Sequence, residues 1–399
     1  MRLTECQSKK LLAKFGLAVT EPIVVKTAED AAKVAAKFDR PVVIKAQVPF
    51  GGRGKLGAVA FADTSDAARA EAKRILALNL RGTPVEQISV ELKLEFEQQI
   101  YIGITWDTAA KLPVALINLA GGVEIEQADQ QLMARRPFNP INGLQAYEAR
   151  EMASTLGLGD KTLVRIGQAL ARLAKAFIDL DALTAEINPL VQTPGGALIG
   201  LDAHLEIDDD ARYRQQAHLE LLGQVDSHHA GRPPTDLERE AQRIDSMDHR
   251  GVAGRMVEFD GNLGLLIGGG GASLTIFDAI RRHGGKPANY CEMGGNPTEE
   301  KVAALTALLL SKPAVRKLAV IMNVVNNTRA DVMARGVVMG IKRSSRKPAE
   351  VISVFRIPGS WEDEARQIMT DVGIEALGRE TSLDAAARLA VERMHEHAA

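Results

Sequence analysis

The sequence predicts an α/β protein of two domains, the second built on an open, doubly wound parallel sheet. Three observations carry that prediction. Strand-like and helix-like segments alternate along the 399 residues, which favours α/β layers over an all-α or all-β protein. At 228–240, "HHAGRPPTDLERE", histidines, a glycine and two prolines break the periodicity and mark a linker. From about residue 250 five apolar runs follow, each with a helix-like segment after it. The domains are expected at 1–235 and 245–399.

The elements follow in order. "TAEDAAKVAAKF" (27–38) has helical spacing, and "PVVIKAQV" (41–48) is a strand entering a glycine-rich loop. Residues 88–120 read as three strands joined by short turns, antiparallel to one another. At 161–180 Leu163, Ile166, Leu170, Leu173, Phe177 and Leu180 recur every three to four residues, as on the buried face of a helix. "ALTAEINPLVQT" and "ALIGLDAHLEI" flank Pro194-Gly195-Gly196, a hairpin signal. Thr235 or Asp236 can cap the helix after the linker. The five later strands are "LGLLIGGGGASL", "ANYCEM", "LAVIMNVV", "EVISVFR" and "IEALG", and a short polar tail, His395–Ala399, closes the sequence.

Composition narrows the function classes. A chain 46% hydrophobic and 25% charged has the makeup of a globular protein with two or three cores. A formal net charge of −2 argues against broad nucleic-acid or anionic-membrane binding. No apolar stretch nears the roughly 20 residues of a membrane span, and "MRLTECQSKKLLAKFGL" lacks the pattern of a signal peptide. Cys6 and Cys291 make no disulfide framework or ligand cluster. A reducing cytoplasm is the expected location.

Two clusters point to chemistry. In "AQVPFGGRGKLG" (46–57) glycines let backbone N–H groups approach an anion, and Arg53 and Lys55 add charge. A Walker A loop is excluded, since Pro49 and Leu56 stand where glycine and a hydroxyl residue belong; a plain glycine-rich hairpin remains the other reading. Lys45, inside an apolar strand, needs an anionic partner unless it snorkels to the sheet edge. The second cluster is "TAEINPLV" with "LIGLDAHL". Glu186 and Asn188 lie two apart and share one strand face, and Asp202 across the hairpin can point to it. Such an oxygen-rich set suits Mg²⁺, which keeps waters and bridges phosphates; a solvated hairpin face is the alternative.

These parts fit an ATP-grasp arrangement. The order "KAQVPFGGRGKLG", "GGVEIE" (121–126), "AEINPL" (185–190), "LDAHL" (201–205) and "HGGKPANYCEMGGNPTEEKV" (283–302) resembles the β subunit of succinyl-CoA synthetase along nearly the whole length. The resemblance implies an N-terminal ATP-grasp domain and a C-terminal flavodoxin-like CoA-ligase domain. It implies that Lys45, Gly52, Arg53, Gly54 and Glu91 contact ATP (or GTP), that Asn188 and Asp202 hold Mg²⁺, and that Glu186 faces a phosphohistidine. Gln99 stands where the family usually has a glutamate before its "LYLG"-like strand, so one charge is missing there.

The family's reaction phosphorylates a histidine and passes the phosphoryl group to a carboxylate. CoA then displaces it to give a thioester, a covalent route that splits one hard step. None of the eight histidines lies in a "GHAG"-type setting. His228 and His229 come nearest but sit in the linker, and His204 reads as either a phosphate contact or a packed histidine. The resemblance therefore implies an α-type partner that carries the phosphorylated histidine and most of the CoA site, in an αβ or (αβ)₂ heteromer.

An open parallel sheet binds ligands outside the carboxyl ends of its strands, where strand order reverses. With order 2-1-3-4-5 the loops at that point are "GGGGASL" (268–274) and "VNNTRAD" (325–331). Each leads into a helix whose N–H groups can face a carboxylate, or simply forms a helix cap. A dinucleotide fingerprint is excluded, because Ser273 stands at its third glycine position. Succinyl-CoA synthetases carry a loop like "GGIVRCD" here. This chain keeps the Arg-x-Asp but offers Asn326, Asn327, Thr328 and Arg329, and Gly268 replaces the family's asparagine. "GGGGAS" and the Asn-x-Thr loop resemble citryl-CoA synthetase and ATP-citrate lyase. The added polar groups suit a more oxygenated acid than succinate, such as malate or citrate. Two other readings stay open: an ATP-grasp carboxylate–amine ligase, and a non-catalytic scaffold subunit.

Overall fold

Threonines start the first three helices. Thr4, Thr27 and Thr64 each accept the backbone N–H three residues on, satisfying an orphan donor at the helix start. These helices are α1 (Glu5–Lys14), α2 (Ala28–Phe38) and α3 (Ser65–Leu76). The computed structural model describes residues 1–122, 132–223, 234–251 and 256–395. The chain divides into two units, Met1–Pro233 and Pro234–Ala399.

The first unit opens with β1 (Ile23–Val25), β2 (Val42–Ala46), β3 (Val59–Ala62), the short ribbon β4 (Asn79–Leu80) and β5 (Thr83–Pro84), and β6 (Ile88–Leu92). Four of these make an antiparallel sheet in the order β1-β6-β2-β3. Ala31, Ala35, Ala68, Ala72 and Ile75 of α2 and α3 pack on Ile44, Ile88 and Val90. The next elements are β7 (Gln98–Asp107), β8 (Leu112–Asn118), β9 (Met133–Pro137), α4 (Ala146–Thr155), α5 (Asp160–Asp179), β10 (Ala182–Gln192), β11 (Leu198–Gly200), β12 (Ala203–Ile207) and α6 (Gln216–Glu220). They build a second antiparallel sheet, β11-β10-β7-β8-β9, with β12 also on β10. The α5 stripe Ile166, Leu170, Leu173 and Phe177 is buried against Ile100, Ile102, Ile104 and Ile187, each side chain contributing about 1.5–3 kcal/mol of burial.

Two expectations change. The three strands at 88–120 exist, but β6 pairs with β1 and β2 and not with β7. Its residues Ile88 and Val90 fit the alanine-lined faces of α2 and α3, a destination that local alternation does not encode. "ALIGLDAHLEI" is two strands, β11 and β12, broken at Leu201–Asp202. Opposite the break, the β10–β7 register shifts between Ile187 and Leu190, so Asn188 and Asp202 both sit at irregular backbone rather than in flat ladder.

In the second unit Thr235 and Glu238 form a capping box for α7 (Asp236–Asp245). The order continues β13 (Val257–Glu258), β14 (Leu263–Gly268), α8 (Gly271–Arg282), β15 (Asn289–Tyr290), β16 (Glu292–Met293), α9 (Glu299–Ser311), β17 (Lys317–Met322), α10 (Ala330–Arg343), α11 (Pro348–Val351), β18 (Ile352–Arg356), α12 (Glu362–Thr370), β19 (Ala376–Leu377) and α13 (Leu383–His395). A parallel sheet runs β16-β14-β17-β18-β19, which is the order 2-1-3-4-5. Every residue of β14, β17 and β18 is buried, as expected of strands covered on both faces. Gly336 lets α10 approach α9 closely: a Cβ there would lie 2.6 Å from Val302 Cβ and 2.8 Å from the Glu299 carbonyl.

Among the described residues no helix is long and apolar enough to cross a membrane. "GGVEIE" beyond Gly122, His228 with His229, and the tail after His395 lie outside the described residues.

Candidate functional site

Lys45 shows how the first cluster is built. Its strand, β2, is buried throughout, so its ammonium must find anions nearby. It finds Glu5 Oε1 at 2.9 Å, the Glu91 carboxylate and the Leu201 carbonyl at 2.6 Å. Burial alone pulls the ammonium pKa down, but Glu5 and Glu91 outweigh it and the group stays charged. Snorkelling is therefore replaced by pairing.

Arg53 turns inward from the glycine loop. Its Nη1 donates to the Ala46 carbonyl at 3.0 Å and meets Glu5 Oε2 at 2.6 Å, and its Nη2 reaches Asp202 Oδ2 at 2.5 Å. Gly52 and Gly54 beside it are exposed, and Gly52 takes a positive φ of 75° that favours glycine. Glu91 is only 2% exposed; one oxygen meets Lys45, and the other accepts from Lys9 at 2.9 Å and Thr20 at 2.5 Å. It lies behind Lys45 rather than at the open side of the site.

The second cluster separates into three contacts. Tyr101 donates its hydroxyl to Glu186 Oε2 at 3.1 Å; burial first, then the carboxylate, push the tyrosine pKa up. Asn188 clasps Gly122, accepting its N–H at 2.6 Å and donating to its carbonyl at 3.0 Å. Gln99 Oε1 lies against that glycine, 3.0 Å from where a Cβ would be. Asp202 is joined to Asn188 through the backbone, Asn188 N–H to Asp202 carbonyl at 3.1 Å. Its side chain, 36% exposed, faces Arg53. Burial and the neighbouring Glu5 charge raise the Asp202 pKa against the pull of Arg53 and Lys45.

A divalent cation fits this donor chemistry. Asn188 Oδ1 and the Asp202 carboxylate are hard oxygen donors on adjacent backbone, one neutral and one anionic, as Mg²⁺ uses when phosphates and water complete its shell. No group of three or more histidine, cysteine or acidic side chains is poised for a metal among the described residues. His204 pairs across the ladder with Glu186; burial lowers its pKa despite Glu186 and Glu206 nearby, which suits a neutral, packed ring.

In the second unit the loops after β14 and β17 lie at the switch point of the sheet. Gly268 ends β14 in a tight space, with Met293 carbonyl 3.0 Å from its would-be Cβ. Asn326 and Asn327 are exposed, whereas Thr328 is 8% exposed and accepts the Asn296 N–H at 3.2 Å. Arg329 is bidentate to Asp331 at 3.0 and 2.7 Å and stacks on Trp361, its guanidinium carbon 3.9 Å from the ring centroid. The two helix starts are not bare: Gly270 donates to Glu292 Oε1 at 2.7 Å, and Ala330 donates to the Ser360 carbonyl at 3.0 Å. The chain thus supplies some of the acceptors that the expectation reserved for a ligand. A separate hollow of about 360 Å³, lined by Arg212, Tyr213 and Leu219, contains none of these residues.

Sequence reasoning missed Glu5, Lys9 and Tyr101, and in the second unit Glu292, Trp361 and Arg356. Glu5 in a first helical turn reads as a dipole complement, so nothing local marks it. Arg356 had a readable signal, the one that singled out Lys45: a cation in a buried strand. It is 4% exposed and donates to the Thr381 and Met322 carbonyls, each at 2.6 Å.

Comparison with known proteins adds a second line. A family profile described as an ATP-grasp domain matches residues 2–192, and one described as "ATP citrate lyase citrate-binding" matches residues 235–392. The ADP-forming succinate–CoA ligase subunit β of Herpetosiphon aurantiacus is 34% identical over 94% of this chain and 95% of its own. The GDP-forming subunit β of Thermus thermophilus is 35% identical over 92% and 93%. An ATP citrate lyase structure from Methanothrix soehngenii, in complex with citrate and coenzyme A, superposes with a TM-score of 0.79 over 98% of this chain and 99% of that one, at 21% identity. That likeness is one of fold.

Proposed function

The chain belongs to the family of succinate–CoA ligase β subunits, nucleotide-dependent acid–CoA ligases, and from that premise we propose how its own residues take part. Lys45 and Arg53, with the exposed backbone of Gly52 and Gly54, receive the phosphates of ATP or GTP, and Gln99 borders the same site. Glu91 serves by holding Lys45 in place. Asn188 and Asp202 hold Mg²⁺, which neutralises phosphate charge. Glu186, oriented by the Tyr101 hydroxyl, faces the histidine that an α-type partner brings. That partner supplies the phosphohistidine and most of the CoA site, in an αβ or (αβ)₂ assembly in the cytoplasm. An acyl phosphate forms and CoA displaces phosphate from it.

For the acid, we propose one with more oxygens than succinate, such as malate or citrate. The observation that carries this is the Asn326–Arg329 loop at the switch point, in a region similar to a citrate-binding family. Exposed amides at 326 and 327 and a hydroxyl at 328 reward an acid that pairs with them and penalise one that leaves them unpaired. The test is acid-dependent ADP release by this chain reconstituted with the chain that co-purifies with it, using succinate, malate and citrate. Preference for a hydroxylated acid is expected; strong preference for succinate over both overturns the acid assignment. Thioester formation by the purified chain alone overturns the division of labour with a partner. The carboxylate–amine ligase alternative has no supporting observation, since the second unit carries the five-stranded parallel sheet of a CoA-ligase domain.

A further inference from the structure

Glu5 is a buried acid that meets three cations, and the reading above gives it no task. It is 3% exposed. Oε1 meets Lys9 Nζ at 2.5 Å and Lys45 Nζ at 2.9 Å, while Oε2 meets Arg53 Nη1 at 2.6 Å. One carboxylate therefore joins both cations assigned to phosphate. Its own position is over-determined: Thr4 and Gln7 close a capping box around the start of α1, and Cys6 N–H donates to Gln47 Oε1 at 3.0 Å just past β2. A carboxylate in the first turn of α1 also complements the helix dipole.

The charges balance. Lys9, Lys45 and Arg53 face Glu5, Glu91 and Asp202. The three acids differ in access: side-chain exposure is 1% for Glu5, 3% for Glu91 and 36% for Asp202. Only Asp202 is open enough to exchange its cation for a metal. When it does, Arg53 loses one of its two carboxylates, and Glu5 is the one that stays. Buried ion networks contribute little to stability compared with an apolar replacement, so the geometry of this one fits a task of orientation better than one of stability.

We propose that Glu5 is the positioning residue of the nucleotide site, holding the Lys45 ammonium and the Arg53 guanidinium in place for phosphate while Asp202 is released to the metal. This rests on the nucleotide reading of Lys45 and Arg53. Preorganised charges need no reorganisation when the ligand arrives; without Glu5, both side chains lose their common anchor.

The test is binding of Mg-AMPPNP to the full chain by calorimetry, with thermal melting alongside. Glu5→Gln alone leaves a buried excess of positive charge and can fail to fold, so the deciding variant is Glu5→Gln with Lys9→Met, which removes one charge of each sign. Its melting temperature should stay near the parent's while Mg-AMPPNP affinity falls about 30- to 100-fold. Lys9→Met alone should bind within about 5-fold of the parent, because Glu5 still anchors Lys45 and Arg53. Glu5→Asp, which keeps the charge but shortens its reach, should lose only about 10-fold, a partial rescue that gross structural damage does not produce. Parent-like affinity in the double variant overturns the proposal, as does equal loss in Lys9→Met. If the double variant does not fold, Glu5→Asp decides, and unchanged affinity there overturns it. A parent chain that does not bind Mg-AMPPNP overturns the nucleotide reading itself, and this proposal with it.

Discussion

Lys301 offers a test of the second unit that needs no partner and no substrate. The side chain is fully buried, and its ammonium lies 2.7–3.0 Å from the carbonyl oxygens of Asp245, Asp248, Arg250 and Gly251. The Asp248 and Asp245 carboxylates stand farther off, at 3.3 and 3.5 Å. One cation thus ties the end of α7 and the turn after it to α9. Replacing Lys301 with Met keeps the stem and removes three donors. Hydrogen bonds to a charged group contribute about 1.5–3 kcal/mol each, so the gross loss is about 5–9 kcal/mol. Against this stand the several kcal/mol of ammonium desolvation that Met avoids, and the partial exposure of both aspartates, which can hydrate. The net loss is about 2–4 kcal/mol. With an m-value of about 2–3 kcal/mol/M, the urea midpoint should fall by about 0.7 to 2 M. The two tryptophans, Trp106 and Trp361, fall one in each unit, so in a Trp106→Phe background fluorescence follows the second unit alone. A Lys301→Met midpoint within about 0.2 M of that background would refute the account, because the carbonyls would then be satisfied equally well by water.

Three further outcomes are expected. Gly336→Ala should destabilise by up to about 2 kcal/mol, since overpacking against the Glu299 carbonyl and Val302 costs about 1–3 kcal/mol against the roughly 1 kcal/mol of helix propensity gained; a raised urea midpoint counts against this. Thr328→Val removes the acceptor of the Asn296 N–H, which water can replace because Asn296 is exposed, and should cost about 0.5–1.5 kcal/mol of stability. In the reconstituted pair it should also lower kcat/KM more for a hydroxylated acid than for succinate; equal losses would show that the hydroxyl serves only the loop. Burial pushes the thiols of Cys6 and Cys291 up to about 12, and because thiolate is the nucleophile, raising the pH from about 7 to about 9 should not bring on the labelling by iodoacetamide that free thiols of pKa ≈ 8.5 show. Both should label once unfolded in urea; fast labelling of native Cys6 at pH near 8 contradicts the burial argument.

Much of the fold was legible because it rests on local rules. Apolar runs of five or six residues separated by helical periodicity indicate a parallel sheet, and β14, β17 and β18 are buried end to end as that pattern requires. Thr235 with Glu238 is a capping box visible in four letters. At the site, Lys45 was conspicuous for a physical reason, since a cation in an apolar strand implies an anion. Which anion was not legible. Glu5 and Lys45 are 40 residues apart, and Arg53 and Asp202 are 149 apart; no local pattern relates them.

The sequence by itself determined the two-domain α/β plan and the switch-point loops, and it supplied the residues proposed for phosphate, metal and acid, because each depends on periodicity, caps or residue chemistry within a short window. Only the tertiary structure decided how those groups are paired. It placed β6 beside β2 and broke the strand at Asp202. It set Glu292 against the start of α8, and gave the Thr328 hydroxyl a backbone partner. The loop at 326–329 shows the difference most clearly. Its amides and hydroxyl are written in the sequence, but the distant Asn296, Ser360 and Trp361 govern how that loop is held. Such contacts depend on chain segments meeting in space, and burial and charge pairing, not spacing, select them.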